Sequence, residues 1–321
     1  GFDADDDHRR WRHRLYRAWV RWDGSRLVAT VGRQRIPWGV GRLWNPIDRF
    51  NPVGPLAIEP QESPGVDAVD LRWQFTGFRY VQLVYAPGTR SEEARVALRG
   101  QGTFGGVDLS AMVGIFTEAR TAGFDATGNL GDAAWRVEAV WTDPERDVWP
   151  VDAAAPREPD AYAQVVAGVD GTLAWGSGLY WLVEHLYNGA ALGFGEGEAA
   201  ARLPFFEATA DPVEALLAPP GVPGPFVRPA SDAVFRGSGV VSRARHTTGV
   251  QLGYDLGTAW RGDVLLLWDW NGASAAVFPT VAFTGWNAGE VVLGAQLFAG
   301  GDRSEFGGEE ALVFLRVEVF F

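Results

Sequence analysis

The chain has 321 residues and a formal net charge of −12, and this acidic balance argues against nucleic acid as its main partner. It contains no cysteine, which excludes disulfides, thiolate metal sites and a covalently attached c-type haem. Alternation of apolar and polar residues with a period of two recurs in stretches of about ten residues, as is typical of strands. In chain order the predicted strands lie at 9–22, 26–37, 66–76, 79–87, 93–104, 107–118, 122–130, 133–142, 161–174, 179–188, 245–256, 261–271, 274–285, 288–299 and 311–321. The pattern is weakest at 122–130.

The connections between these strands differ in length in an orderly way. If the last strand ends at the periplasmic side, the long connections 38–65, 143–160 and 189–244 all fall at the extracellular end. The opposite end then has only tight turns, which is the arrangement of outer-membrane barrels. The sequence therefore predicts an all-β fold: one transmembrane, antiparallel up-and-down β-barrel domain over residues 1–321. Bacterial single-chain barrels have even strand numbers, so we expect sixteen or more strands, with at least one upstream of the fifteen identified.

The final stretch, "ALVFLRVEVFF" (311–321), alternates apolar residues and ends on phenylalanine. It resembles the terminal strand of Gram-negative outer-membrane porin-type β-barrels. The resemblance implies a location in the cell outer membrane, contact with its lipid and lipopolysaccharide, and recognition by the barrel-assembly machinery. The residues that carry this assembly signature are Val313, Leu315, Val317, Val319 and Phe321. A second segment, residues 14–53, resembles large, poorly characterised porin-like proteins in which Arg-Gln, Trp-Gly and Asn-Pro follow a strand pair.

Charged residues occupy the strand face opposite the apolar one, and some also lie in the first long connection. In hydrocarbon each such charge on a strand would cost several kcal/mol, so these side chains must face water or one another. The candidate pore-lining or constriction residues are Arg35, Arg42, Arg49, Arg72, Arg95, Arg99, Arg136, Glu138, Glu184, Asp263, Asp269, Arg316 and Glu318. Two interpretations stay open: a hydrated pore whose selectivity these charges tune, or a plugged, salt-bridged interior. A sixteen-strand barrel leaves an aqueous channel, which favours the pore.

The segment "RQRIPWGVGRLWNPIDRFNP" (33–52) combines four arginines with two tryptophans. Guanidinium groups bind carboxylates and phosphates, so this segment could form a basic and aromatic constriction for an anion or a sugar. Alternatively, it is a rigid loop that packs inside the barrel wall, and its prolines fit either interpretation. We favour the packed loop.

Neither an enzyme nor a cofactor site is predicted. The four histidines are not spaced as metal ligands, and nothing in the spacing of Ser242 and His246 supports a hydrolase triad. The favoured function is a porin-type channel for passive diffusion of small hydrophilic solutes. The alternative is a structural barrel that sheathes or anchors a partner protein complex, and a homo-oligomer is compatible with both.

Overall fold

The structure is a computed structural model of the whole chain. It describes residues 2–6, 9–13, 15–52, 55, 65–76, 78–88, 94–117, 119–144, 161–189, 242, 244–286, 289–301, 304–307 and 310–319. In these ranges no helix has the length and apolarity needed to cross a membrane.

Seventeen strands are present in the described residues. They are β1 (Phe2–Asp6), β2 (Arg9–His13), β3 (Ala18–Asp23), β4 (Leu27–Gln34), β5 (Val66–Gln74), β6 (Tyr80–Ala86), β7 (Arg95–Phe104), β8 (Val107–Phe116), β9 (Ala119–Leu130), β10 (Ala133–Pro144), β11 (Tyr162–Leu173), β12 (Leu179–Asn188), β13 (His246–Asp255), β14 (Trp260–Asp269), β15 (Ser274–Trp286), β16 (Gly289–Ala299) and β17 (Leu312–Val319). Strands β3 to β17 form one sheet in which each strand pairs antiparallel with the next in the chain. This up-and-down meander confirms the predicted all-β barrel fold.

The first predicted strand, 9–22, is corrected by the structure. Within the large sheet this strand begins only at Ala18, and it pairs with β4 from Ala18 to Asp23. Residues 9–13 form β2 instead, which pairs with β1 in a separate two-stranded sheet. The weakest predicted strand, 122–130, is present as the twelve-residue strand β9.

The connections are sorted by length as predicted. The short turns between β7 and β8 and between β9 and β10 have two residues each, at 105–106 and 131–132, and they lie at one end of the sheet. The connections that follow β4, β10 and β12 lie at the other end and are the long ones. Of the predicted loops, 145–160, 190–241 and most of 53–64 lie outside the described residues. Since the sheet has fifteen strands, β3 and β17 run in the same direction, and these two strands are not paired with each other in the described residues.

The two faces of the sheet differ in polarity and in burial. On the outer face, large apolar side chains are exposed, for example Val113, Leu266 and Leu315. On the inner face, alternate residues of the same strands are buried, for example Met112 and Leu267. The last strand follows this rule: Val313, Leu315, Val317 and Val319 are more than half exposed, while Arg316 lies on the other face and contacts Glu290 at 3.4 Å. Phe321 lies outside the described residues.

The buried core lies on the inner face and depends on residues 35–52, which we call the inserted segment. This segment follows β4 and contributes Ile36, Trp38, Ile47 and Phe50 to an apolar cluster with side chains of β5 to β8 and β10. It contributes Leu43 and Trp44 to a second cluster with side chains of β11, β12, β14 and β15. One connection therefore packs against both halves of the sheet.

Candidate functional site

The inserted segment holds its irregular path largely through its own contacts. Gly39 has φ of +87°, and a Cβ at this position would lie 1.9 Å from Asn45 Oδ1, so only glycine fits. Asn45 Nδ2 donates to the Trp38 carbonyl at 2.7 Å, and its Oδ1 accepts from the Asp48 N–H at 3.0 Å. The Ile36 N–H donates to Asn51 Oδ1 at 2.9 Å, which closes the segment at its base.

Two buried glutamates fix the middle of the segment to the sheet. Glu184 of β12 accepts hydrogen bonds from three consecutive backbone N–H groups, those of Arg42 at 2.9 Å, Leu43 at 2.8 Å and Trp44 at 2.9 Å. Glu138 of β10 accepts from the N–H groups of Val40, Gly41 and Ile47. Both glutamate side chains are fully buried. A segment outside a β-ladder leaves its N–H groups without strand partners, and carboxylates have enough lone pairs to satisfy several of them.

Trp38 anchors the start of the segment against β6 and β7. Its Nε1 donates to Gln82 Oε1 at 3.0 Å, and Gln82 Nε2 in turn donates to Asp70 Oδ2 at 2.8 Å. The Trp38 ring packs edge-to-face with Phe50, with 5.1 Å between centroids. The Arg99 guanidinium lies 5.7 Å from the Trp38 ring centroid, within cation–π range.

The end of the segment is anchored by two arginines. Arg49, in the segment itself, is fully buried, and its Nη2 donates to Thr142 Oγ1 of β10 at 2.7 Å. Arg95 of β7 donates to the carbonyl oxygens of Arg49 and Phe50 at 3.3 and 3.0 Å. The inserted segment is thus hydrogen-bonded to at least four strands, among them β6, β7, β10 and β12.

Two buried ion pairs lie beside the segment on the inner face. Arg99 contacts Asp125 at 3.1 Å and donates to Ser110 Oγ at 3.0 Å. Arg136 forms an ion pair with Asp170 of the neighbouring strand. Removing charges from water is costly unless each is paired, so these pairs hold the polar inner face in one arrangement.

A polar cavity of about 360 Å³ lies between the inserted segment and strands β9 and β10. Its lining includes Arg35, Arg42, Asn45, Asp48, Thr127 and Arg136. Arg136 is 4% exposed, and its Nη1 has no hydrogen-bond partner among the described residues. The cavity thus presents cationic groups that can contact a solute.

Asp48 is the titratable group of this cavity that burial perturbs most clearly. It belongs to the connection between β4 and β5, outside the strands. Burial raises the pKa of its carboxyl from 3.8 to about 6, because loss of hydration outweighs the hydrogen bond from the Asn51 N–H and the attraction of Arg35 and Arg95.

The structure distributes the thirteen predicted residues over several places. In the inserted segment or in contact with it are Arg35, Arg42, Arg49, Arg95, Arg99, Glu138 and Glu184. Arg136 borders the cavity. Asp269 is buried at the β14–β15 turn, where it accepts from Asn271 and Gly272 N–H. The remaining four make contacts away from the segment: Arg72 with Tyr80, Asp263 with Arg261, and Arg316 with Glu318.

This distribution changes how several candidates are interpreted. Glu138, Glu184, Arg49 and Arg99 are buried in contacts with protein groups, and the favoured interpretation of 33–52 as a packed loop agrees with those contacts. Residues 38–52 of the predicted loop 38–65 fold onto the inner face of the sheet, and the extracellular location of this connection stays a prediction. The physical reason for the path of 38–52 is that its backbone N–H groups find carboxylate partners on that face.

Sequence reasoning missed some of the residues that hold this site. Asp125, which pairs with Arg99, lies in the strand with the weakest pattern. The available signal was its position two residues from both Gly123 and Thr127, which places all three on one face of the strand. Gln82 and Thr142 also sit at inner-face positions of predicted strands. Their partners in the segment are 44 and 93 residues away along the chain, a pairing that local spacing does not encode.

Comparison with known proteins adds to this description at the level of the fold. No family model matches the sequence. No curated protein matches it either. Among solved structures, the chain is similar to OccAB1 of Acinetobacter baumannii, with a TM-score of 0.51 and 10% sequence identity, covering 93% of this chain and 76% of that one. At this identity the likeness shows the fold alone, and it agrees with the porin-type barrel that the sequence predicts.

Proposed function

We propose that this protein is an outer-membrane channel, not an enzyme, through which small hydrophilic solutes diffuse passively. The barrel would be a single domain whose long connections face the outside of the cell. The observation that carries the proposal is the inserted segment: two buried glutamates hold it on the inner face, beside a polar cavity. A connection held inside a barrel narrows the lumen without closing it, which is how a constriction forms.

The charges at this constriction favour anionic solutes. Arg35, Arg42 and Arg136 contribute three positive charges to the cavity lining, whereas Asp48 is the one acidic residue among the described lining residues. Arg136 is paired with Asp170, so the net excess comes mainly from Arg35 and Arg42. Rings of arginine in a pore attract anions and exclude cations. The wall charges would therefore set the selectivity, and no solute-specific binding step is required.

Planar-bilayer recording of the purified, folded protein tests this proposal directly. We expect stepwise ion currents, with a reversal potential in a salt gradient that indicates a preference for anions. Arg42→Gln should shift that potential toward the cation side, because it removes one cavity charge. Arg120→Gln is the matched control, since Arg120 is an exposed arginine on the outer face of β9. A folded protein that carries no current would contradict the channel, and co-purification of a stoichiometric partner would then favour a scaffold barrel.

A further inference from the structure

We propose that the outer face between β6 and β9 carries a specific site for a glycerophospholipid, with one acyl chain in an apolar groove and the phosphate beside Arg79. This inference rests on the membrane location that the proposed function assumes. It concerns the opposite face of the wall from the inserted segment, so solute passage and lipid binding are separate properties.

The groove exists because two small residues, Gly100 and Ala111, lie side by side on the outer face of neighbouring strands. Val81, Gly100, Ala111 and Phe124 are successive cross-strand partners on β6, β7, β8 and β9. The two central members have almost no side chain. The depression they leave is about 540 Å³. A Cβ placed on Gly100 would find no atom within 4 Å, so the space above this residue is open.

Large apolar side chains form the walls of this groove. Phe75, Phe104, Leu109 and Phe124 line it, and all four are exposed. A flexible hydrocarbon chain can fill a groove of this shape and recover dispersion contacts that the walls otherwise lack.

The groove runs along the strands toward the short-turn end of the sheet. Gly100 lies at mid-strand and Phe104 is the last residue of β7, about 13 Å further along at the rise of an extended strand. Because the long loops of such barrels are extracellular, the short-turn end faces the periplasmic leaflet. A chain lying in this groove therefore has its headgroup at the periplasmic surface.

Arg79 stands where that headgroup would be. It lies in the turn between β5 and β6, and its guanidinium carbon is 4.9 Å from the centroid of the Phe104 ring. Its Cγ lies 3.2 Å from the position that a Cβ of Gly102 would take, so the arginine stem crosses the mouth of the groove. A guanidinium group in this place can pair with a phosphate diester, and the aromatic ring holds it at the groove. The apolar groove and the Arg79 guanidinium at its end together match a phospholipid better than a free hydrocarbon chain or a protein partner.

Native mass spectrometry of the detergent-solubilised full chain, titrated with phosphatidylglycerol, tests the site. We expect the wild-type protein to retain one lipid more tightly than the rest. Gly100→Leu fills the groove and should weaken that binding by at least about tenfold. Ala167→Leu is the matched control, because it adds the same side chain at an exposed outer-face position of β11 and should leave binding unchanged. Ala111→Leu fills the same groove from β8 and serves if Gly100→Leu does not fold.

The contribution of the arginine is tested with a second ligand. Arg79→Gln should weaken retention of phosphatidylglycerol but not of diacylglycerol, which has the same chains without a phosphate. Equal retention by wild type and both groove-filling variants would overturn the proposal, as would equal loss of both lipids in Arg79→Gln. Bilayer conductance separates this result from the proposed function. Gly100→Leu should conduct like the wild type, and a protein that binds the lipid but never conducts would refute the channel alone.

Discussion

Glu138 and Glu184 show what a single acidic side chain can do on the inner face of a barrel. Each accepts three backbone N–H groups from the inserted segment, and each is fully buried. The sequence predicts both as pore-lining or constriction candidates whose charges face water or one another. Their actual partners are peptide groups, so their first effect is on the position of the segment and only through it on the lumen.

The residue-scale prediction for this contact uses Glu184→Gln. The glutamine amide keeps one acceptor oxygen, but its NH₂ group is a donor and cannot accept a hydrogen bond. At least one backbone N–H group among Arg42, Leu43 and Trp44 is therefore left without an acceptor. A buried unsatisfied donor costs about 1–3 kcal/mol. Hydrogen exchange followed by mass spectrometry should show faster exchange across 40–47 in the variant. Glu290→Gln, in a partly exposed pair with Arg316, is the control and should leave these amides as slow as in the wild type.

Asp48 supports a prediction about pH. Its pKa in the folded protein, about 6, is above its ordinary value of 3.8, so between these values the folded state binds more protons than the unfolded state. Stability should therefore fall as pH rises from about 4 to about 6, and the loss should persist at higher pH. Asp48→Asn resembles the protonated form and should be more stable than wild type at neutral pH, by roughly 3 kcal/mol. Urea unfolding in detergent micelles measures this difference, which should shrink at acidic pH. A difference independent of pH would contradict the assignment to Asp48.

At the scale of the element, the strands are defined by which side each residue faces. Val113 of β8 is 57% exposed on the outer face, whereas its neighbour Met112 is 3% exposed on the inner face. A shift of one residue would exchange these environments, so the alternation fixes the register of the whole meander.

This alternation predicts the effect of charge on the outer face. Val113→Arg places a guanidinium near the middle of the apolar band and should destabilise the folded barrel in bilayers by about 2–4 kcal/mol. Val113→Leu keeps the position apolar and is expected to change stability little. Reversible unfolding from lipid vesicles compares the two variants. If both have wild-type stability, this face of β8 does not contact hydrocarbon.

How well each element could be predicted depends on how far apart in the chain its contacting residues lie. Strands such as β8 and β14 could be predicted because alternation is a local pattern, in which successive residues face the outer and the inner side of the sheet in turn. The start of β3 was not, because residues 9–13 also read as a strand and only pairing with β1 separates them from the sheet. The fold of the inserted segment was the least predictable, since Glu138 lies 97 residues from Gly41 and no local pattern shows that contact. The sequence favours a packed loop at 33–52, but its arginines, tryptophans and prolines do not identify the strands against which it packs.

At the scale of the whole molecule, the inserted segment is the part of the core that both halves of the wall share. Six of its side chains belong to the two apolar clusters, four in one and two in the other. Backbone hydrogen bonds join the strands of the sheet into one wall. The two apolar clusters on the inner face of this wall are joined through the inserted segment.

Replacing residues 38–47 by a glycine–serine linker tests that role. Because strand pairing does not involve these residues, the β-sheet signal in circular dichroism should be retained. The melting temperature should fall, because Trp38, Leu43, Trp44 and Ile47 no longer cover the inner face, and buried side chains of this size contribute several kcal/mol each. Single-channel conductance should rise, because the constriction is removed. An unchanged conductance would show that solutes do not pass beside the segment.

The contacts of the two glutamates have a consequence for how such a protein can be altered. Both carboxylates accept hydrogen bonds from backbone N–H groups, which every residue except proline provides. The anchoring therefore depends on the backbone path of the segment and not on the identity of the side chains at these positions. Val40 and Arg42 can therefore be exchanged for residues of other size or charge while the anchoring hydrogen bonds remain. Diversifying these positions against a constant pair of glutamates offers a route to engineered permeation properties in which the scaffold needs no redesign.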